Sequence, residues 1–104
     1  MLKEKIIDFK KNILEKNYYE AHEDLEEIWF PIRKEKNDLC LVLKGFINGA
    51  VAMELYKRER FLQSKNVHKV YLKYVTLERI DKTEFKKEFL ELQVFMNEEF
   101  SKIL

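Results

Sequence analysis

A chain of 104 residues, 46% hydrophobic and 38% charged, has enough apolar mass for a core and enough charge to solvate helices. Two glycines and one proline leave little room for β-turns, so the composition excludes a sheet-rich fold and points to one all-α domain over residues 1–104. Twenty basic against nineteen acidic side chains, net +1, argue against a dedicated nucleic-acid binder, and the lone Cys40 excludes an internal disulfide.

A single thiol fits a reducing compartment. The start of the chain has no apolar run long enough for a signal peptide, and no apolar stretch reaches the roughly 20 residues of a membrane helix. The expectation is a soluble, cytoplasmic protein without a membrane span. Five helices are expected.

The first helix runs from Leu2 to about Lys16, with Ile6, Phe9, Ile13 and Leu14 as its buried stripe. The second begins at Asn17, read as an N-cap in a capping box with Glu20. Pro31 lacks an amide hydrogen and disfavours helix at Phe30, so this helix is expected to end or kink near Trp29. At about 100° per residue, Tyr18, Ala21, Leu25, Ile28, Trp29 and Ile32 share one apolar arc. His22 lies at the edge of the arc, with Glu26 as its i+4 neighbour and Glu23 and Tyr19 beyond.

Asp38 is expected to cap the third helix, whose apolar run extends from Leu39 to Met53. A helix apolar on most sides belongs at the centre of a bundle. Gly45 and Gly49 share one face, where a neighbouring helix can approach closely; each costs about 1 kcal/mol relative to alanine, which points to a packing reason. Asn48 is the one neutral polar side chain in the run. Its amide needs partners, either His22 or Glu26 from the second helix or a backbone carbonyl.

A charged turn follows. Ser64 is read as the cap of a fourth helix, about Lys65 to Glu78, with a stripe of Val67, Val70, Tyr71, Tyr74 and Leu77. His68 has no acidic neighbour at helical spacing and is expected at the surface. Asp81 and Glu84 repeat the capping-box spacing before a last helix in which Phe85, Phe89, Leu92 and Met96 recur at helical period. Residues 15–27 hold six acidic and one basic side chain, and residues 57–73 six basic and one acidic. Such faces could meet within the monomer or across a homodimer.

The site residues singled out are Tyr19, His22, Glu23, Glu26, Trp29 and Asn48, read as a ligand-binding cluster. A carboxylate beside an imidazole fixes its tautomer and can serve acid–base work or a metal; the same pair can equally be a packing device. His22 and Glu26 are the catalytic candidates, and with Glu23 the metal candidates. No resident cofactor is expected, a divalent metal being the one alternative. The zinc-protease spacing fails because the second imidazole is replaced by Glu26, and the E-x-x-H pair of di-iron bundles is absent. There is no phosphate loop, dinucleotide fingerprint or nucleophile elbow. Cys40 falls in the apolar helix and reads as an inert core thiol. Three readings follow: a non-enzymatic ligand- or partner-binding module, a hydrolase using His22 and Glu26, and an RNA-associated module using the lysines of residues 57–73.

The stretch Tyr18-Tyr19-Glu20-Ala21-His22-Glu23-Asp24-Leu25-Glu26-Glu27-Ile28-Trp29 resembles the Y-x-E-A-H-E-x-L-E-x-x-W signature of the small all-helical family catalogued as domain of unknown function 309. Gly45-Phe46-Ile47-Asn48-Gly49-Ala50-Val51-Ala52 resembles the family's second motif, G-L-I-Q-x-A-V-A, with Asn48 in place of glutamine. Family members often continue with a Gly-Asn and a Gly-Ala pair, where this chain has Glu59-Arg60 and Gln63-Ser64, so the likeness fades after about residue 56. The resemblance implies an all-helical fold with a shared polar cluster. The family has no agreed activity, and none is implied.

Overall fold

The computed structural model describes residues 1–104 and contains six helices and no strand. In α1 (Leu2–Leu14), Leu2, Ile6, Phe9 and Ile13 fall on one stripe and are buried, while Leu14, one step off it, is exposed. The helix closes with the Asn17 amide donating to the Asn12 carbonyl (2.8 Å) and the Lys16 amide to Ile13 (3.1 Å). This six-to-one closure places Lys16 in the left-handed region at φ 60°. It also spends the Asn17 amide, which removes the donor that the expected capping box needs. Asn17 remains the N-cap of α2 (Tyr18–Ile32), but its side chain makes no cap bond.

The second helix continues through Pro31 to Ile32. The proline sits in the last turn, where the Glu27 carbonyl that loses its helical donor belongs to an exposed residue, and Arg33 covers the Phe30 carbonyl with both its amide (3.4 Å) and its guanidinium (2.6 Å). The central helix α3 (Asp38–Lys57) is capped one residue earlier than expected: Asn37 Oδ1 accepts from the Cys40 amide at 2.9 Å. Asp38 occupies the first turn, where a carboxylate meets the positive end of the helix dipole.

Ten residues of α3 are buried, from Cys40 to Met53. By length and mean hydropathy α3 alone meets the criteria for a membrane span, yet 56% of its most apolar window is covered by the rest of the bundle, as in a core helix. The sequence expectation of no such stretch is thereby corrected. α2, α4 (Phe61–Tyr74) and α5 (Leu77–Asp81) pack on α3, and α1 and α5 pack on α6 (Lys86–Ser101).

A second six-to-one closure ends α3. Arg60 donates to Leu55 and Glu59 to Tyr56, both at 2.9 Å, with Glu59 at φ 61°. α4 (Phe61–Tyr74) therefore starts four residues before the expected position. Ser64 lies inside its first turn, fully buried, with Oγ donating to the Ala52 carbonyl at 2.6 Å. It stitches α4 to α3 rather than capping a helix. The close seam continues at Gly45, where an added Cβ would stand 2.6 Å from Val75 Cγ2, and at Gly49, against Met96 Cε and Tyr71 Cδ1.

The fourth helix stops at Tyr74 because Thr76 starts a new one. Its hydroxyl accepts from the Arg79 amide at 3.2 Å and caps the short α5 (Leu77–Asp81). Leu77 consequently leaves the expected stripe and is exposed. No capping box forms at Asp81 and Glu84; Thr83 organises the turn, donating to the Ile80 carbonyl and accepting from the Phe85 amide. α6 (Lys86–Ser101) buries Phe89, Leu92, Met96 and Phe100, and Phe89 stacks on Phe46 of α3 at 5.8 Å.

Candidate functional site

The signature helix α2 uses Ala21 and Leu25, both fully buried, to seat itself on α3. Asn12 Nδ2 donates to Asp24 (2.7 Å) and Lys5 pairs with Glu27 (2.7 Å), so α1 braces the other side and takes up part of the acidic stretch. No ion pair joins residues 15–27 to residues 57–73. Seating on Ala21 and Leu25 points His22 along the seam between α2 and α3, half-buried.

His22 Nε2 and Glu26 Oε2 lie 2.9 Å apart, as the i+4 spacing requires. The other nitrogen, Nδ1, is sealed from solvent and has no hydrogen-bond partner. With Nε2–H donating to the carboxylate, Nδ1 keeps its lone pair, and an unpaired buried acceptor is less costly than an unpaired N–H. The Tyr19 ring stands over the imidazole with centroids 6.0 Å apart. Together Tyr18, Tyr19 and His22 form one wall of a groove of about 270 Å³, with Val51 and Leu55 of α3 and its C-cap Arg58 opposite. Arg58 is held by Glu54, Nε to Oε2 at 2.6 Å. Burial raises the Tyr18 pKa, with Glu99 and Glu54 adding to the effect.

The six expected site residues are therefore not one cluster. Tyr19, His22 and Glu26 are together. Asn48 Nδ2 bonds the Lys44 carbonyl of its own helix at 2.8 Å, and nothing links it to His22 or Glu26. Glu23 is exposed without a hydrogen-bond or ion-pair partner. Trp29, nearly two turns beyond His22, lines a different cleft with Arg33, Lys36, Cys40, Lys44 and Tyr74. Its indole Nε1 is buried without a partner. Sequence reasoning missed Val51, Leu55 and Arg58, whose i, i+4, i+7 spacing marks a face of α3 but does not say which helix it meets.

No group of three His, Cys, Asp or Glu side chains is placed to hold a metal ion, so His22 and Glu26 would supply two donors only. Cys40 is buried, with Sγ 3.6 Å from the Arg33 carbonyl. His68 is not a free surface group. It packs at 4.3 Å from the Phe100 ring and 5.8 Å from Tyr71, and burial lowers its pKa. Tyr71, whose hydroxyl donates to Asn97 Oδ1 at 2.9 Å, has its pKa raised by burial.

These features define a helical bundle built around an apolar central helix, with the histidine-bearing helix braced on both sides. The chain belongs to the family described as Domain of unknown function (DUF309), whose model matches residues 6–67, past the loop after α3 and into α4. The match thus extends beyond residue 56, where the motif likeness fades. No curated protein and no solved structure matches the chain. Within the matched range, Glu59 holds a left-handed φ that glycine adopts freely, and Ser64 is fully buried.

Proposed function

We propose that this domain is a cytoplasmic, non-enzymatic binding module whose groove between α2 and α3 takes a small, largely apolar ligand with an anionic or hydrogen-bonding end. Val51 and Leu55 offer the apolar floor, and the guanidinium nitrogens of Arg58 not used by Glu54 offer donors at the rim. One observation carries the reading. His22 has one nitrogen committed to Glu26 and the other sealed, so it supports a wall and has no free nitrogen for a substrate.

Native mass spectrometry of the purified chain tests this, because it reports retained molecules, metal and subunit count together. The expected result is an organic ligand that is lost when Val51→Trp fills the groove. A stoichiometric metal that disappears in His22→Ala overturns the reading in favour of a metal-assisted hydrolase. A chain with neither, whose groove amides stay unmoved in a small-molecule NMR screen, also overturns it.

A further inference from the structure

The second cleft, at Trp29 and Tyr74, carries a separate chemistry. It measures about 270 Å³ and is lined by three cations, Arg33, Lys36 and Lys44, and by no carboxylate. Two more cations meet the Tyr74 ring, Lys73 Nζ at 5.3 Å from its centroid and Arg79 Cζ at 5.5 Å, alongside Lys44 Nζ at 5.3 Å. Arg33, Lys36, Lys44 and Lys73 make no ion pair, and Arg79 meets only Asp38, at 4.0 Å. Two of the heads are anchored. Arg33 stacks on Phe30 at 3.8 Å while bonding its carbonyl, and Arg79 donates to the Lys73 carbonyl at 2.9 Å.

Three cations lining one cleft, with two more set against the Tyr74 ring, repel one another, and a bound anion would relieve that repulsion. Concavity distinguishes this set from a solvated basic face, because it lets several heads reach one group at once. Trp29 and Tyr74 add aromatic lining. The small volume favours a compact anion over a drug-sized ligand.

We infer that the Trp29–Tyr74 cleft is a binding site for a small phosphate-bearing ligand, held by Arg33, Lys36 and Lys44 with Lys73 and Arg79 at its edge. Arginine matches phosphate oxygens in paired fashion, and the lysines supply point charges. The site is distinct from the His22 groove and does not depend on it.

Trp29, the only tryptophan, is a built-in reporter. Pyrophosphate is titrated into the full chain at fixed ionic strength, followed by Trp29 fluorescence and by calorimetry, with sodium chloride as the blank. Saturable binding is expected, weakened about tenfold or more by Lys44→Glu and by Lys36→Glu, as for loss of a charged hydrogen bond. Lys36 lies in the exposed connector before α3, so that variant keeps the test valid if Lys44→Glu folds poorly. Lys11→Glu, on the exposed face of α1, should bind like the parent. Pyrophosphate behaving like chloride overturns the inference, as does equal weakening by Lys11→Glu. Binding of a single-stranded oligonucleotide without binding of pyrophosphate overturns it in favour of a nucleic-acid surface.

Discussion

The two glycines of α3 share a helix face yet should respond unequally to alanine. At Gly45 a new Cβ would stand 2.6 Å from Val75 Cγ2, 3.0 Å from Tyr74 Cβ and 3.2 Å from the Val75 amide nitrogen. Two of those atoms belong to, or lie next to, backbone, so relief requires moving the end of α4 away from α3. Overpacking of this kind costs about 1–3 kcal/mol, and a backbone obstacle puts it at the upper end. Alanine returns about 1 kcal/mol of helix propensity. Gly45→Ala should therefore lose about 1–2 kcal/mol net, a fall in Tm of roughly 5–15 °C for a domain of this size. At Gly49 the nearest atoms are Met96 Cε at 3.0 Å, the end of a flexible chain, and Tyr71 Cδ1 at 3.1 Å. Small shifts suffice there, and Gly49→Ala should stay within about 1 kcal/mol of the parent. Urea unfolding followed by circular dichroism measures both. A Gly45→Ala variant as stable as the parent, or more stable than Gly49→Ala, refutes the close seam.

Glu59→Gly should raise stability by about 0.5–1 kcal/mol in thermal unfolding, because a non-glycine residue at φ 61° is strained. Ser64→Ala should cost no more than about 1.5 kcal/mol, the value of one hydrogen bond to a carbonyl, whereas Ser64→Leu should cost about 3 kcal/mol or more by overpacking a site with no exposure. His68 gives a pH signature. Its folded pKa is lowered by burial, so the unfolded chain takes up the proton first as pH falls below about 6.5, and stability drops across that window. Urea midpoints between pH 7 and 5 should show the drop, and His68→Gln should flatten it.

What the sequence made legible is the periodic part of the fold. The stripes of α1 and α6 and the central place of α3 follow from spacing alone, because a 3.6-residue period needs no knowledge of the neighbouring helix. The junctions were less legible. Left-handed residues at Lys16 and Glu59 carry no glycine to announce them, and the Asn17 amide is claimed by α1, which no local motif records. Ser64 looked like a cap because buried and capping serines share a composition. The site was half legible: the i+4 pair of His22 and Glu26 was visible, but its opposite wall of Val51, Leu55 and Arg58 depends on how α2 and α3 cross. Trp29 separated from His22 because seven residues carry it nearly two turns along the helix. His68 was misjudged because its partner Phe100 lies on another helix.

Whether His22 is a wall or a working base is decided most directly by the unfolding free energy of His22→Ala at pH 7. Removing the imidazole loses the bond to Glu26 and opens space beside Tyr19 in the seam. The expected result is a loss of about 1–3 kcal/mol. Unchanged or increased stability would contradict the structural role, because side chains kept for chemistry are often held at a cost to stability, and His22 would then belong to a catalytic site.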